Sequence, residues 1–502
     1  MKLNYAKTIE KWGIFEVTIS GPKEGNPFCD QWIKGTFCCK NEKKTVDGFY
    51  DGDGIYKVRF MPSFTDEYTF EIEASFDINA GEEVPEHKLG IADGGKEAEK
   101  CAVRNMLTGS FTVTSPSEDN HGPVRVAGTY YLSYEDGTPY HCIGTTCYVW
   151  NLQNEELQKQ TLKTLEENAF NKIRFCIFPK HYDYNLHEPI TYPYEGTPCD
   201  SSVLNESNFA EYNGCAPGND WDFTRFNPAH FQHIEKCIQA LMNLGIEADL
   251  IVMHPYDRWG FSMMKAEDDD RYWKYVLARF SAYRNVWWSL ANEYDLMHEK
   301  TLSDWERYAG IICEKDPYHH LRSIHNCKAY YDYNLPWITH CSIQRTETYR
   351  SSELVNEWRE KYHKPVILDE ICYEGNIQFG WGNISGEEMT RRFWEAFCRG
   401  GYPGHGETYL SPDRILWWSH GGALHGTSPD RIRFLAKIME ETPGLGVEPM
   451  PCKWDEVACR ATGFPARKDY FIYYYSFMRP AFVTSTLMIL QSIRWKLSIP
   501  GK

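Results

Sequence analysis

Two glutamates define the chemistry that the sequence predicts. The apolar segment Val286–Ala291 is followed directly by Asn292 and Glu293, and a second apolar segment ends at Asp369 and Glu370. Retaining hydrolysis of a glycosidic bond needs two such carboxyl groups, one to protonate the leaving oxygen and one to attack the anomeric carbon, roughly 5 to 5.5 Å apart. We therefore predict that Glu293 is the general acid/base and Glu370 the nucleophile.

Each of these two role assignments has an alternative. Glu374 lies four residues after Glu370 and is the rival nucleophile, although we expect it to hold a sugar hydroxyl instead. Asp369 is expected to alternate back toward the helix layer, because successive side chains of a strand point to opposite faces. Glu293 also has a purely structural alternative, since a carboxylate at that place can cap the helix that follows.

Neighbouring residues are predicted to tune and complement the two glutamates. Arg174 would keep Glu370 ionised by lowering its pKa, whereas a less compensated Glu293 would stay protonated near neutrality. Asn292 is placed to hydrogen-bond a sugar 2-hydroxyl, and nearby aromatic rings suit the apolar face of a sugar. The remaining residues predicted to bind substrate are His254, Tyr256, Asp257, His325, Tyr373, Glu374, Trp417 and His420.

The histidines in this set lack the spacing of a metal site. His254, His325 and His420 belong to separate predicted strands and form neither an HxH nor an HExxH motif, so hydrogen bonding to substrate is the favoured role. No GxGxxG motif or phosphate-binding loop follows an early strand either. The sequence thus predicts no metal ion and no organic cofactor.

The elements that would position these residues alternate between strand and helix from about residue 138 onward, which is typical of parallel strands with crossover helices. The eight predicted strands are 141–146, 172–178, 247–254, 285–291, 320–325, 337–343, 365–369 and 414–418. Most of them end next to candidate polar residues, and the active sites of (β/α)8 barrels lie at the C-terminal ends of the strands. The predicted fold class is therefore α/β, with a (β/α)8 TIM barrel; a doubly wound open sheet is the alternative.

Two smaller domains flank the predicted barrel. Residues 1–125 contain short alternating segments such as 15–19, which predict an N-terminal β-sandwich. The barrel is assigned to residues 126–435, and residues 436–502 are predicted to form a short, partial C-terminal β-domain. At 502 residues the chain is long enough for several separate cores.

Composition narrows the choice of partner. A net charge of −17 without any basic run disfavours nucleic acid and anionic membranes, while 17 Trp, 33 Tyr and 26 Phe suit a neutral carbohydrate or glycoside. No apolar run reaches the ~18 residues of a membrane span, and the N-terminal segment has no signal-peptide core. The 17 cysteines form no CxxC pair, which favours free thiols and a cytoplasmic protein. The composition leaves the oligomeric state open, with a homo-oligomer as one alternative.

Several segments resemble the apiosidase-like branch of (β/α)8-barrel glycoside hydrolases. They cover roughly residues 140–425 and are 144–150 (GTTCYVW), 170–174 (FNKIR), 178–180 (FPK), 254–261 (HPYDRWGF), 291–293 (ANE), 370–375 (EICYEG) and 417–422 (WWSHGG). The resemblance implies an N-terminal β-sandwich, a C-terminal β-domain, an acid/base at Glu293 and a nucleophile at Glu370. It does not imply a particular sugar, because members of the family differ in substrate.

The C-terminus departs from the pattern of that family. The family's C-terminal β-domain continues for several strands beyond the segment 473–482, whereas this chain ends 20 residues later in a tail without strand alternation. Restoring one base at Phe482 permits a reading frame with the missing alternation, so we hypothesise a frameshifted, truncated end. The nucleotide sequence of the gene tests this hypothesis.

The function predicted from these observations is retaining glycoside hydrolysis of plant-derived glycosides or oligosaccharides. The segment 180–225 is rich in turn residues and tyrosine, which favours a pocket and hence exo action. The alternative is a non-catalytic carbohydrate-binding protein on a barrel scaffold, in which aromatic residues and histidines hold a sugar that is not hydrolysed. The presence of both Glu293 and Glu370 favours the enzyme.

Overall fold

The structure is a computed structural model that describes residues 5–78, 106–411, 414–451, 456–462 and 470–476. Within these ranges, two sheets form an N-terminal sandwich, eight parallel strands form a barrel, and three short strands follow it. The hypothesis of a frameshifted tail concerns residues that lie outside the described ranges.

The N-terminal domain is a sandwich of two sheets. Its elements are β1 (Thr8–Glu10), β2 (Phe15–Ser20), α1 (Pro27–Asp30), β3 (Ile33–Cys38), β4 (Lys43–Asp47), β5 (Phe49–Tyr50), β6 (Ile55–Phe60), β7 (Glu67–Ala74) and β8 (Met106–Thr114). One sheet has the order β1-β8-β7-β3-β4 and the other the order β2-β6-β5. Alternation along β7 buries Tyr68, Phe70 and Ile72. Phe15 and Phe111 stack between the sheets with ring centroids 3.7 Å apart, and the predicted β-sandwich is confirmed.

A short hairpin joins the sandwich to the barrel. It consists of β9 (Val124–Ala127) and β10 (Tyr131–Tyr134). Val124 and Leu132 of the hairpin pack with Tyr140, Trp287 and Tyr402, which lie at or near the beginnings of barrel strands. This apolar cluster closes the N-terminal end of the barrel, so polar groups gather at the opposite end, where the strands finish.

The central domain alternates strands and helices. Its strands are β11 (Gly144–Thr146), β12 (Lys172–Cys176), β13 (Tyr194–Thr197), β14 (Asp220–Phe226), β15 (Glu247–Met253), β16 (Val286–Ala291), β17 (Arg322–Ser323), β18 (Cys341–Gln344), β19 (Val366–Glu370), β20 (Glu374–Gly375), β21 (Tyr402–His405) and β22 (Glu407–Thr408). Eight of them form one parallel sheet in the order β17-β16-β15-β12-β11-β21-β19-β18. A parallel bridge between His325 and Ser342 joins the two edges, so the sheet is a nearly closed barrel. The predicted (β/α)8 fold is confirmed.

Helices connect or follow the barrel strands, and the longer ones cover their outer side. They are α2 (Glu155–Glu166), α3 (Pro228–Asn243), α4 (Ala266–Phe280), α5 (Leu302–Lys315), α6 (Val355–Tyr362), α7 (Gly386–Cys398), α8 (Trp417–His420) and α9 (Ser428–Glu441). In α3, apolar residues recur every three or four positions and form one buried face at Phe231, Ile234, Ile238 and Leu241. The side chain of Asn227 caps the first turn of this helix.

The prediction for the eighth barrel strand is wrong. The sequence predicts it at 414–418, but the eighth strand is β21, and Trp417 begins the short helix α8. Two adjacent tryptophans in an apolar run resemble a buried strand, while β21 contains Pro403 and Gly404, which strands usually avoid. Gly404 is required here, because a Cβ atom would lie 2.8 Å from backbone oxygens of β19.

A buried ion cluster occupies the barrel interior. Lys172 Nζ lies 2.7 Å from carboxylate oxygens of both Asp249 and Asp369, and none of these side chains is more than 4% exposed. Asp369 therefore points into the barrel, and the expectation that it turns toward the helix layer is wrong. The register between β18 and β19 shifts just before Glu370, so two adjacent carboxylates both face inward.

Three antiparallel strands follow the barrel within the described residues. They are β23 (Val447–Pro449), β24 (Val457–Ala461) and β25 (Phe471–Tyr474). Tyr474 stacks on Trp394 of α7 with ring centroids 5.4 Å apart, so this sheet lies against the helical layer of the barrel. The domain boundary predicted at residue 435 falls inside α9. None of the described helices is long and apolar enough to cross a membrane.

Candidate active site

Glu293 stands at the C-terminal end of β16, the fourth barrel strand. All six residues of that strand are buried, as expected between the barrel interior and a helical layer. The backbone of Glu293 then adopts φ 51° and ψ 55°, a left-handed conformation that is uncommon outside glycine. Such strain persists mainly where function fixes a side chain, and here it directs the carboxyl group toward Tyr256 and Gln344.

The carboxyl group of Glu293 is buried among uncharged hydrogen-bond donors. It accepts hydrogen bonds from the Tyr256 hydroxyl and, at 2.9 Å, from Gln344 Nε2, and Asn292 Nδ2 lies 3.3 Å away. Burial, followed by the charge of Glu370, raises the pKa of Glu293 above that of a solvated glutamate. A raised pKa keeps a proton on this carboxyl group, as a general acid requires.

Glu370 ends β19, the seventh barrel strand, and has the opposite environment. Its Oε1 accepts a hydrogen bond from the Tyr148 hydroxyl and lies 3.3 Å from His325 Nε2 and 3.5 Å from Arg174 Nη1. Burial alone would raise the pKa of Glu370, but His325, and then the charge of Arg174, lower it below its usual range. An ionised carboxylate is what a nucleophile at this position requires.

The two carboxyl groups belong to one connected cluster. His325 Nε2, which approaches Glu370, also lies 3.1 Å from Gln344 Oε1, and Gln344 in turn donates to Glu293. The charge of Glu370 is close enough to raise the pKa of Glu293. A protonated and an ionised carboxyl group in one cluster is the division of roles on which glycosidic cleavage depends.

Asn292 links the barrel interior to this cluster. Its Oδ1 lies 3.2 Å from the Tyr148 hydroxyl and 3.3 Å from Arg174 Nη2, and its Nδ2 lies 3.3 Å from Glu293 Oε2. The amide plane is therefore fixed by protein contacts. A side chain oriented in advance in this way loses little conformational freedom when a substrate binds.

Aromatic rings surround the same end of the barrel. Trp418 contacts the rings of Tyr148, Tyr182, Tyr373 and Trp381, with centroids 5.2 to 6.2 Å apart. The closely packed ring of Tyr373 requires a glycine at position 406, where a Cβ atom would lie 1.9 Å from it. Burial and the charge of Glu370 raise the pKa of Tyr373, so its hydroxyl stays protonated.

The two tryptophans of α8 have different places. Trp417, a predicted substrate-binding residue, is 1% exposed and donates from Nε1 to Thr145 Oγ1 at 2.8 Å. Its neighbour Trp418 belongs to the ring cluster beside the two glutamates.

Other predicted binding residues lie in or beside the loops around the cluster. Glu374 is fully buried and accepts hydrogen bonds from two backbone amides at the start of α9. Asp257 accepts hydrogen bonds from two amides of its own loop. His254 Nε2 lies 3.4 Å from the Phe178 carbonyl oxygen, and burial lowers the pKa of His254 to about 3, which keeps it neutral. His420 is buried at the end of α8.

One set of side chains in the described part of the chain has the composition of a metal site. Glu374, His405 and Glu407 offer potential ligand atoms that lie within 4.8 Å of one another. The oxygens of Glu407 accept hydrogen bonds from the amides of His425 and Gly426 at 2.6 and 2.7 Å. Both glutamates therefore bind the loop that leads into α9, which gives them a structural role.

The sequence did not identify Tyr148, Gln344 and Lys180 as site residues. Tyr148 and Gln344 each donate a hydrogen bond to one of the two glutamates, and Lys180 lies beneath the aromatic rings. Tyr148 and Gln344 follow the first and sixth predicted strands, so position after a strand was the available signal. Lys180 also follows a predicted strand, the second, but its aromatic surroundings had no such signal, because three of the four rings come from distant segments of the chain.

The fourth and seventh strands of this (β/α)8 barrel are each followed by or end in a glutamate, one with a raised pKa and one with a lowered pKa, and aromatic rings lie beside them. This is the arrangement of a glycoside hydrolase. The sequence model described as apiosidase-like, catalytic domain, matches residues 127–444. A domain of unknown function, DUF5060, matches residues 8–75 of the sandwich. The chain therefore belongs to the apiosidase-like family.

Comparison with solved structures supports the same class. The chain is similar to a candidate glycoside hydrolase from Bacteroides vulgatus ATCC 8482, with 40% sequence identity and a TM-score of 0.80 over 93% of this chain and 84% of that one. A glycoside hydrolase family 5 protein from the same organism shares the fold, with 17% identity and a TM-score of 0.53 over 71% of this chain and 80% of that one. Among curated proteins, none matches. Family and fold together make this protein a glycosidase.

Proposed function

We propose that this glycosidase acts by double displacement, with Glu370 as nucleophile and Glu293 as general acid/base. The observation that carries the proposal is the opposed environment of the two carboxyl groups, one raised and one lowered in pKa. In the first step Glu293 protonates the leaving oxygen while Glu370 attacks the anomeric carbon. In the second step Glu293 accepts a proton from water, which attacks the same carbon and releases Glu370.

The neighbouring residues have supporting roles in this mechanism. Arg174 and His325 hold Glu370 ionised, and Asn292 donates to the sugar 2-hydroxyl. The remaining predicted residues either face the sugar or fix the loops that surround it, and they are Tyr256, Tyr373, His254, Asp257, Glu374, Trp417 and His420.

We also propose exo action on glycosides or oligosaccharides of plant origin. The loop after β12 reaches across the barrel mouth, since the Tyr184 hydroxyl donates to Gln378 and Glu206 pairs with Arg414. A groove closed on one side by such contacts accepts a chain end more readily than an internal segment. The plant origin of the substrate rests on the resemblance to apiosidase-like enzymes alone.

Azide rescue of alanine variants tests the two catalytic roles separately. Glu293→Ala should lose about 10²- to 10⁴-fold of activity on glycosides with poor leaving groups. With an activated aryl glycoside, azide should restore turnover and give a glycosyl azide of the substrate's configuration, because it attacks the glycosyl-enzyme. Azide should also rescue Glu370→Ala, but with the opposite configuration, because it replaces the nucleophile.

A control variant and a rival residue complete this experiment. Glu299→Ala, at an exposed glutamate on the same loop as Glu293, should keep wild-type activity. Azide rescue of Glu374→Ala with inverted product, and no rescue of Glu370→Ala, would make Glu374 the nucleophile and overturn the assignment. A wild type as inactive as both catalytic variants on every aryl glycoside would favour the non-catalytic carbohydrate-binding protein.

We further infer a reducing, cytoplasmic setting for the protein. All fifteen cysteines within the described residues are unpaired, which supports this inference. Titration of thiols in the denatured protein, without reductant, should detect all 17 cysteines of the chain as free thiols. A homo-oligomer stays a prediction, which light scattering during size-exclusion chromatography would test.

A further inference from the structure

Lys180 holds a positive charge inside the ring of aromatic residues at the barrel mouth. It follows β12 and is 3% exposed. Its Nζ lies 3.5 Å from the ring centroid of Tyr148, 4.3 Å from that of Tyr256 and 4.6 Å from that of Trp418. Tyr182 contributes a fourth ring at 5.5 Å. The ammonium group therefore lies among ring faces, where cation–π attraction is its main contact.

Within the described residues, Lys180 Nζ has no hydrogen-bond acceptor. Other buried lysines do: Lys172 Nζ lies 2.7 Å from two carboxylates, and Lys300 Nζ lies 2.6 Å from one. An ammonium group has three N–H donors, and an enclosed donor without a protein acceptor needs one from solvent or from a bound molecule. Burial also lowers the pKa of Lys180 to about 8, the direction expected for a cation without a close counter-charge. The missing acceptor is therefore one that a bound molecule can supply.

The rings around Lys180 fix where that acceptor must be. The ring nearest to Lys180 Nζ is that of Tyr148, and the Tyr148 hydroxyl donates a hydrogen bond to Glu370. The Tyr256 hydroxyl donates a hydrogen bond to Glu293. A group that reaches Lys180 Nζ is thus attached to a molecule at the reacting centre. Because the nearest ring belongs to Tyr148, whose hydroxyl bonds Glu370, we assign the group to the sugar that Glu370 attacks.

The charges of the site indicate the chemistry of that group. Glu370 is compensated by Arg174 and His325, and the two aspartates of the barrel interior are bonded by Lys172. Lys180 attracts both glutamates at a distance but pairs with neither. A carboxylate on the sugar would supply an acceptor and a counter-charge together, whereas a hydroxyl would supply only an acceptor.

We propose that Lys180 binds the carboxylate of a uronic acid, so that the substrates are uronosides with the acidic sugar on the nucleophile's side of the scissile bond. The proposal rests on the proposed hydrolytic function and adds its substrate class. Lys180 is then a residue that determines specificity, since it contacts the substrate away from the bond that breaks.

Matched pairs of aryl glycosides test this proposal. Each pair, such as 4-nitrophenyl β-D-glucuronide and β-D-glucoside, or the galacturonide and galactoside, differs only in a carboxylate against a hydroxymethyl group. The wild type should favour the uronide of at least one pair by roughly 10- to 100-fold in kcat/KM, the range of a hydrogen bond between charged groups. Lys180→Met should remove that preference, with little loss on the neutral partner.

Two further variants separate charge from packing. Lys180→Arg keeps the charge and should retain part of the preference, whereas Lys328→Met, at an exposed lysine on the loop after β17, should behave as the wild type. Equal loss on both members of a pair in Lys180→Met would mean that Lys180 only stabilises the site, and would overturn the proposal. A wild type that favours the neutral partner in every pair would overturn it without any variant.

A binding measurement distinguishes failure of the proposal from failure of the proposed function. If no glycoside is cleaved, the thermal unfolding of the wild type is followed with D-glucuronate, D-galacturonate and D-mannuronate and with the corresponding neutral sugars. A higher Tm with one of these uronates than with its neutral partner, lost in Lys180→Met, supports the acidic subsite although hydrolysis has failed. If none of the uronates raises the Tm more than its neutral partner does, the proposal is wrong.

Discussion

At the scale of single residues, Glu293 and Glu370 differ in their surroundings and not in their type. Glu293 meets a phenol and an amide, which bear no charge, while Glu370 meets His325 and Arg174. The proposed mechanism needs Glu370 ionised, a state present above its lowered pKa, and Glu293 protonated, a state present below its raised pKa. The profile of kcat/KM against pH should therefore be bell-shaped, with an acidic limb from Glu370 and a basic limb from Glu293.

Tyr256→Phe should move the basic limb of this profile to higher pH. The Tyr256 hydroxyl stabilises the ionised form of Glu293 by donating a hydrogen bond, so its loss raises the pKa of Glu293 further. The acidic limb should not move, which provides an internal control. A basic limb displaced to lower pH would show that another group titrates there.

His325→Gln should move the acidic limb to higher pH. His325 lowers the pKa of Glu370 more than Arg174 does, so the variant nucleophile becomes protonated at a higher pH than in the wild type. The measurement is kcat/KM from about pH 2 to 9, a range that reaches the lowered pKa of Glu370 and spans the usual carboxyl and imidazole pKa values. An unchanged acidic limb would separate His325 from the ionisation of Glu370.

At the scale of elements, strand ends decide which side chains meet. Seven of the eight barrel strands were predictable, because buried apolar segments followed by polar residues mark them. The eighth was not, because β21 contains Pro403 and Gly404, which are rare in strands. The apolar run that includes Trp417 has the composition of a strand but forms a short helix. The inward turn of Asp369 depends on a register shift between two strands, which no local pattern encodes.

The same limits apply to the candidate site. Glu293, Glu370 and Arg174 could be predicted from residue type and place along the chain. The left-handed backbone of Glu293 could not, because tertiary contacts impose it. The aromatic surroundings of Lys180 could not either, since they are assembled only when distant loops fold together.

Glu374→Ala should weaken an element and leave the chemistry intact. Two amides at the start of α9 would lose their acceptor, which should lower the free energy of unfolding by about 1–3 kcal/mol. Urea denaturation measures this change, and kcat per folded molecule should stay within a few-fold of the wild type. Unchanged stability together with lost activity would instead favour Glu374 as a catalytic group.

At the scale of the whole molecule, buried ions join the sandwich to the barrel. Arg59 of β6 bonds both carboxylate oxygens of Glu235 in α3 at 2.6 and 2.9 Å and the backbone oxygen of Arg279 at 2.9 Å. The Tyr318 hydroxyl accepts a hydrogen bond from the Met61 amide at the same interface. The sandwich therefore supports the helices that lie behind the barrel strands.

Arg59→Met should destabilise the protein without changing its chemistry. The variant removes two hydrogen bonds from the buried Glu235, which keeps its pair with Arg279, so the loss should be about 1.5–3 kcal/mol, the range of a hydrogen bond to a charged group. Lys34→Met is the matched control, because the pair between Lys34 and Glu73 is about 40% exposed and should contribute little. If the two variants lower the free energy of unfolding equally, the contacts of Arg59 between the sandwich and the barrel do not stabilise the protein more than an exposed ion pair does.

The anomeric configuration of the first product tests the central claim most directly. Proton NMR of a cleaved aryl glycoside, recorded before mutarotation, should show the released sugar with the configuration of the substrate, because Glu370 and then water each invert the same carbon. A first product of opposite configuration would mean that water attacks directly, and that Glu370 is a base and not a nucleophile.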